Sequence, residues 1–270
     1  MPEMLSRITP PSEILEESAK SSMAEKVLLI LETIANSEFP LTLETISTST
    51  NLAKPTAFRL LNTLVAQGFI ERDPNGRRFQ PSAKLRILGI NILSVDSVRS
   101  QRVAVMKRLV EEIGETCNFN ILDGNKVMYL DRVETSAPIR LHVDVGMRVP
   151  LHCTASGKLF LSGMTELQVR RSLGNEPFES YTDKTVTSYQ KLFSELEKIR
   201  EDGYALDESA FLEGFIGIAV PVINSKNKTF ATITAHGPSS RMQEKSIEFY
   251  IVPLQQAARD IQDSLSETST

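Results

Sequence analysis

Residues 42–81 constrain this chain more than any other stretch. They read TLETISTSTNLAKPTAFRLLNTLVAQGFIERDPNGRRFQP. Two amphipathic segments are separated by the break Asn51-Leu52-Ala53, and the second segment runs into a turn signal. Ile46 and Leu52 supply the buried side of the first. Lys54-Pro55 fits a helix start, where proline loses nothing because the first N–H groups of a helix have no partner. Beyond it, apolar residues at Ala57 or Phe58, Leu60, Leu61, Leu64 and Val65 keep helical spacing. Gly68 stands where a glycine ends a helix. Phe69-Ile70 is apolar and β-prone, Asn75-Gly76 is a strong hairpin signal, and Phe79 can return the second strand to the core. The order helix, turn, helix, hairpin predicts a winged helix-turn-helix.

Charge adds a direction. Between Lys54 and Arg86, seven basic residues (Lys54, Arg59, Arg72, Arg77, Arg78, Lys84 and Arg86) stand against Glu71 and Asp73, a local excess of five. The whole chain carries −4. Any one of these side chains is ordinary solvated surface. A basic island on a predicted helix-turn-helix and hairpin, in an otherwise acidic protein, points to double-stranded DNA. Lys54, Thr56, Phe58 and Arg59, at the start of the second helix, are the candidates for groove contacts. Arg77 and Arg78, on the wing, are candidates for phosphate or the minor groove.

The stretch resembles the winged helix-turn-helix of the IclR family of bacterial transcriptional regulators. Leu52-Ala53-Lys54-Pro55-Thr56, Arg59-Leu60-Leu61, Leu64, Gly68-Phe69-Ile70 and Arg72-Asp73-Pro74-Asn75-Gly76 carry the resemblance. Pro55 stands where that family usually has Ser or Thr. The resemblance implies a dimer through the N-terminal domains and a helix over 82–97, and a tetramer through the C-terminal domains. Paired readers would meet successive half-sites of a near-palindromic operator.

At 270 residues, 41% hydrophobic and 24% charged, the chain has the composition of a globular protein of one or two domains. No apolar run approaches the ~20 residues that cross a bilayer, and no signal peptide is visible. Cys117 and Cys153 are too few for a disulfide framework, and a reducing cytoplasm fits. Residues 1–20, with Pro10-Pro11, read as a flexible arm. Residues 21–81 read as the winged domain, opened by a helix capped by Ser22 with Glu25 three residues on. Residues 82–97 read as a linker helix, apolar on more than one side and in want of a partner. Residues 98–270 read as an α+β domain with a mixed, mostly antiparallel sheet. Its elements are a helix from Val103, strands at 116–122 and 126–133 joined by Asp123-Gly124-Asn125, a strand at 139–145 and a helix at 154–161. A helix at 189–202, strands at 215–223 and 229–235, and a terminal helix at 242–265 complete it.

The informative stretch of this domain is Leu151-His152-Cys153-Thr154-Ala155-Ser156-Gly157-Lys158. Small residues where a strand gives way to a helix leave the first-turn N–H groups open, which suits an anion. They equally suit a tight junction that needs small side chains for packing. His152 to Lys158 also resembles the family's C-terminal-domain motif. Gly203-Tyr204-Ala205-Leu206-Asp207, Gly214 and Ile218-Ala219-Val220-Pro221-Val222 resemble a second one, and with Gly237-Pro238 and Arg241 the resemblance covers about Ser22 to Leu265. The resemblance implies a GAF-like domain that binds and assembles, with an effector pocket for a small organic acid. Ala155 and Ser156 would hold the anionic end by their N–H groups. Asp207 would be a polar pocket residue, Leu141, Val149 and Phe215 apolar walls, and Thr234 and His236 would project from one face of a strand. Ser209-Ala210 departs from an acidic pair common in the family, and Gly217 from a cysteine. The space at Gly217 leads us to expect an aromatic or longer-chain carboxylate.

Other chemistries are weaker. Gly157-Lys158 lacks the spacing and following residue of a phosphate loop. Ser156 and His152 lack a third group to orient a base, so no catalytic residue is assigned. His142, His152 and Cys153 match no common zinc spacing, and no metal or cofactor is assigned. The rival reading is a small-molecule-binding or hydrolytic domain whose winged segment contacts protein rather than DNA.

Overall fold

The structure is a computed structural model that describes residues 22–37, 39–224 and 227–267. The arm expected at 1–20 lies outside the described residues. The chain divides into two compact units between Ile92 and Leu93.

In the first unit, α1 (Met23–Ala35) opens with the expected capping box. Ser22 Oγ accepts from Glu25 N at 3.2 Å, and Ser22 N donates back to Glu25 Oε2 at 2.6 Å. Such a cap contributes about 1 kcal/mol. α2 (Leu43–Thr50) ends at Asn51 in the left-handed region, and α3 (Lys54–Ala66) starts at the Lys54-Pro55 step. Ala57 rather than Phe58 joins the core, with Ile30, Ile34, Ile46, Leu52, Leu60, Leu61 and Leu64; Phe58 is exposed. β2 (Ile70–Arg72) and β3 (Arg78–Pro81) form the hairpin, and Phe79 is 2% exposed. The two-residue strand β1 (Leu41–Thr42) pairs with β3, a pairing too short to leave a sequence pattern.

α4 (Ala83–Leu93) has no buried residue, and Ile87, Leu88 and Ile92 are exposed. The helix expected over 82–97 therefore stops four residues early. Val95 takes an extended backbone (φ −63°, ψ 134°) and a new helix, α5 (Asp96–Ile113), begins there rather than at Val103. Ser94-Val95-Asp96-Ser97 is a run of weak helix formers, which makes this the cheap place to break.

The second unit is built on a six-stranded sheet of order β6-β5-β4-β9-β8-β7. The strands are β4 (Thr116–Asp123), β5 (Lys126–Val133), β6 (Arg148–Pro150), β7 (Ala205–Glu208), β8 (Phe215–Ile223) and β9 (Thr229–Pro238). Every neighbouring pair among them runs antiparallel. α6 (Ala155–Ser162) lies across the sheet with α8 (Tyr189–Asp202) behind it, while α5 and α10 (Ile247–Glu267) pack on each other and on the sheet. The short helix α7 (Glu166–Leu173) was not anticipated, although Thr165 and Gln168 form a capping box visible in the sequence. Helix α9 (Ser239–Met242) is separate from α10, so the terminal helix begins five residues later than expected.

The strand expected at 139–145 is absent. That segment is a loop with Ile139 and Val145 exposed, so its alternation does not mark a buried face. It is tied down by polar contacts instead: Arg132 donates to the Leu141 carbonyl, and Glu134 accepts from Arg140 and contacts His142. The third strand of this meander is β6, six residues beyond Leu141-His142.

Candidate functional site

The first unit places Lys54, Phe58, Arg59, Arg77 and Arg78 at the surface, with Thr56 half-buried. Their neighbours divide the basic island into two kinds of residue. Arg72 donates to Asn62 Oδ1 and to the Gly76 carbonyl, both at 2.9 Å, and its guanidinium lies 4.7 Å from the Phe79 ring centre. It joins α3 to the wing. Lys84 and Arg86 donate to the carbonyls of Gln67 and Pro81. Lys54 pairs with Glu44 across the helix-turn-helix at 2.9 Å, an exposed contact that competes weakly with a phosphate. Arg77 and Arg78 give their backbone N–H groups to Asp73 Oδ1, which shapes the wing tip. Among the described residues their guanidinium groups have no partner.

In the second unit, cross-strand registry brings the sequence's candidates to one sheet face. Residues directly opposite on neighbouring strands share a face. Asp207, Gly217 and His236 lie side by side on β7, β8 and β9. Ala205, Ala219, Thr234 and Asn118 form the next row, and Thr232 and Asn120 sit beyond. A bulge at the Phe119/Asn120 step sets Tyr129 opposite Asn120 and Asp131 opposite Phe119. It switches the parity of β5, so Tyr129 turns to the α6 face while Asp131 turns to Arg99 and Arg102 on α5.

α6 covers this face, and between them lies a cavity of about 40 Å³. Leu141, Val149, Ala155, Ser156, Asp207, Phe215, Gly217, Thr234 and His236 all line it. Tyr129, Thr154, Phe211, Leu212 and Ile216 line it too and were missed. Phe211 and Leu212 come from the 209–214 loop, which carries no periodicity; Tyr129 needed the bulge. Gly217 is the gap between Asp207 and His236. A Cβ there would stand 3.6 Å from Asp207 Cβ and 3.7 Å from Ala155 Cβ, an ordinary contact.

Thr154 caps α6, its hydroxyl accepting from Gly157 N at 3.2 Å. No group among the described residues takes the N–H of Ala155 or Ser156. Gly157 meets the packing demand: a Cβ there would overlap the Leu151 backbone. The small-residue run thus combines a tight junction with an open helix terminus. Gly237 does similar work, leaving room for Glu115, whose carboxylate is held in a bidentate pair by Arg241 at 2.5 and 2.6 Å.

Burial governs the charges. Burial pushes the Asp207 carboxyl up to about 6, although the N–H groups of Ala210 and Phe211 and the Lys158 ammonium pull the other way. Burial and the Arg132 guanidinium push His236 down to about 3, so its ring is neutral. Burial pushes the Cys153 thiol up to about 12, beyond any nucleophilic role at neutral pH. Ser156 and His152 have separate partners: the hydroxyl bonds Thr234 and Asn120, and the ring bonds the Glu179 carbonyl. They do not form a nucleophile and base. Among the described residues no cluster of His, Cys, Asp or Glu is placed to hold a metal, and no helix is long and apolar enough to cross a membrane.

A winged helix-turn-helix with a basic wing defines the first unit as a DNA-binding reader. The family model described as the IclR helix-turn-helix domain matches residues 23–74, and that described as bacterial transcriptional regulator IclR C-terminal matches 90–263. The chain belongs to the IclR family of bacterial transcriptional regulators. It is 34% identical to the probable transcriptional regulator SauR of Cupriavidus necator, over 92% of this chain and 98% of that one. It is 27% identical to the transcriptional repressor IclR of Escherichia coli, over 87% and 86%. The crystal structure of the Thermotoga maritima IclR matches with a TM-score of 0.59 at 28% identity, over 90% and 98%. An IclR homologue from Microbacterium hydrocarbonoxydans, complexed with 4-hydroxybenzoate, shares the fold with a TM-score of 0.59 at 24% identity, over 91% and 100%. The chain is a transcriptional regulator with an N-terminal DNA-binding domain and a C-terminal effector domain.

Proposed function

We propose that the second unit's cavity binds a small organic acid, aromatic or longer-chain, and that this binding changes the affinity of the winged unit for a near-palindromic operator. The observation that carries the reading is the cavity at the open end of α6, where helix N–H groups meet the row Asp207, Gly217 and His236. The 4-hydroxybenzoate complex of the Microbacterium homologue supports an aromatic acid. At about 40 Å³ the cavity is far smaller than the several hundred Å³ of a small-molecule site. An aromatic acid enters by displacing the 209–214 loop, which contributes Phe211 and Leu212. Lys54, Thr56, Phe58 and Arg59 contact the groove, and Arg77 and Arg78 contact phosphate. The exposed apolar residues of α4 pair with those of a second copy, and the second units bring dimers together as a tetramer.

A thermal-shift series with benzoate, 4-hydroxybenzoate and pyruvate tests the pocket. An aromatic acid raises the Tm of the parent by several degrees and leaves Ala155→Trp unmoved, since the indole takes the space that the acid would open by displacing the loop. Equal shifts in both proteins, or none in either, would remove the cavity as the effector site.

A further inference from the structure

β7 is the last strand of the six-stranded sheet, so one of its edges faces no other strand. Around that edge runs an open groove of about 500 Å³. Small-molecule sites span roughly 300–1,000 Å³. α8 presents one helical face to it, with Glu195, Lys198, Ile199 and Asp202 at positions i, i+3, i+4 and i+7. Leu206 and Glu208 of β7 also line it, alternating along the strand with Asp207, which lines the first cavity. Lys158 reaches it from α6.

Lys158 distinguishes this groove from an ordinary surface furrow. Its side chain is 9% exposed, and its ammonium donates to Glu195 Oε2 at 2.9 Å. An ammonium carries three hydrogens and no lone pair. Among the described residues nothing accepts the other two. A buried charge is costly when its hydrogens are not taken up. Glu195 is the more open partner, 39% exposed, and its second oxygen Oε1 receives no donor among the described residues. The pair thus offers, side by side, two hydrogens and a carboxylate oxygen. The charged lining is balanced, with Lys158, Lys184 and Lys198 against Glu195, Asp202 and Glu208. Such a balance disfavours a polyanion or a polycation and favours a ligand with one charge of each sign. Ile199 and Ile216, both buried, and the half-buried Leu206 give the same groove an apolar surface.

We propose that this groove is a second ligand site, for an α-amino acid with an apolar side chain. The ligand's carboxylate takes the spare hydrogens of Lys158, its ammonium meets Glu195 Oε1, and its side chain covers Ile199, Leu206 and Ile216. The site is distinct from the cavity under α6. The two share Ile216 alone, and the 209–214 loop divides them, with Ser209 and Ala210 lining the groove and Phe211 and Leu212 the cavity. The proposal stands whether or not the first cavity takes an organic acid.

The test is calorimetry on the full-length protein with L-valine, L-leucine, L-isoleucine, L-methionine and L-phenylalanine at millimolar concentrations. At least one of them binds, with one site per chain. Lys158→Met weakens that amino acid by about tenfold or more, as expected for a lost hydrogen bond to a charged group. Glu195→Gln weakens it too, yet leaves unchanged the affinity for the corresponding deaminated acid (4-methylpentanoate in the case of leucine), which has no ammonium to place. Ala155→Trp, in the first cavity, leaves the amino-acid affinity as it was. Should Lys158→Met not fold, Glu195→Gln decides alone, since Glu195 is well exposed. The proposal is overturned if none of the five amino acids binds, or if the folded Lys158 and Glu195 variants bind like the parent. Loss of binding in Ala155→Trp but not in the Lys158 and Glu195 variants also overturns it, by placing the amino acid in the first cavity. None of these outcomes bears on 4-hydroxybenzoate binding by the first cavity.

Discussion

Asp207 and His236 flank Gly217 and are perturbed in opposite directions, so their effects on stability oppose each other. Asp207 rises from 3.8 to about 6 on folding. Its contribution is present in full below pH 4 and is lost as the pH rises through 6, because the buried carboxylate is then forced to ionise. His236 falls from 6.5 to about 3. Its contribution is present above pH 6.5 and is lost as the pH falls towards 3. Asp207→Asn should therefore gain stability relative to the parent as the pH climbs from 4 to 7, reaching ~2 kcal/mol on the scale of a two-unit shift. Thermal melts across that range measure it, and a constant difference would show that Asp207 is not held in the way described. An anion in the cavity favours the protonated acid further, so carboxylate affinity should fall as the pH rises above 6 and lose that slope in Asp207→Asn. At this scale nine residues that line the cavity could be named from the family resemblance. The bulge that turns Tyr129 inward could not, because a one-residue change of parity leaves no mark on the pattern of β5.

Among the elements, the wing separates structural from available charge. Arg72 ties the hairpin to α3 by its hydrogen bond to Asn62 and braces the wing through the Gly76 carbonyl and the Phe79 ring, whereas Arg77 and Arg78 are exposed at the tip. Arg72→Ala should cost the unit about 1–2 kcal/mol and lower its Tm. The double change Arg77→Ala and Arg78→Ala should leave Tm almost unmoved. It should weaken binding to all duplexes alike, reducing the slope of log affinity against log salt by about 2. An unchanged salt slope would take the wing off the phosphate backbone. The helix-turn-helix and hairpin were legible because capping, helical spacing and the Asn-Gly turn all agree locally. The segment 139–145 misled because alternation alone does not show which side is buried, and polar contacts to Arg132 and Glu134 hold it as a loop. The break at Val95 was hidden by the continuous apolar content of 82–93, which reads as one helix wherever it ends.

For the whole molecule, regulation requires that the acid bind two arrangements of the paired readers unequally, since a ligand with equal affinity for both shifts nothing. Coupling of this kind amounts typically to 5- to 150-fold in affinity. The winged unit and the cavity were each readable from local patterns; the coupling was not, because it is a difference between states rather than a property of any residue. It is measured most directly on a duplex selected by the protein from a random-sequence library, titrated with and without saturating 4-hydroxybenzoate. The account predicts a shift in Kd of at least about fivefold for the parent and none for Ala155→Trp. An identical Kd in the presence of an acid that demonstrably occupies the parent's cavity would contradict it.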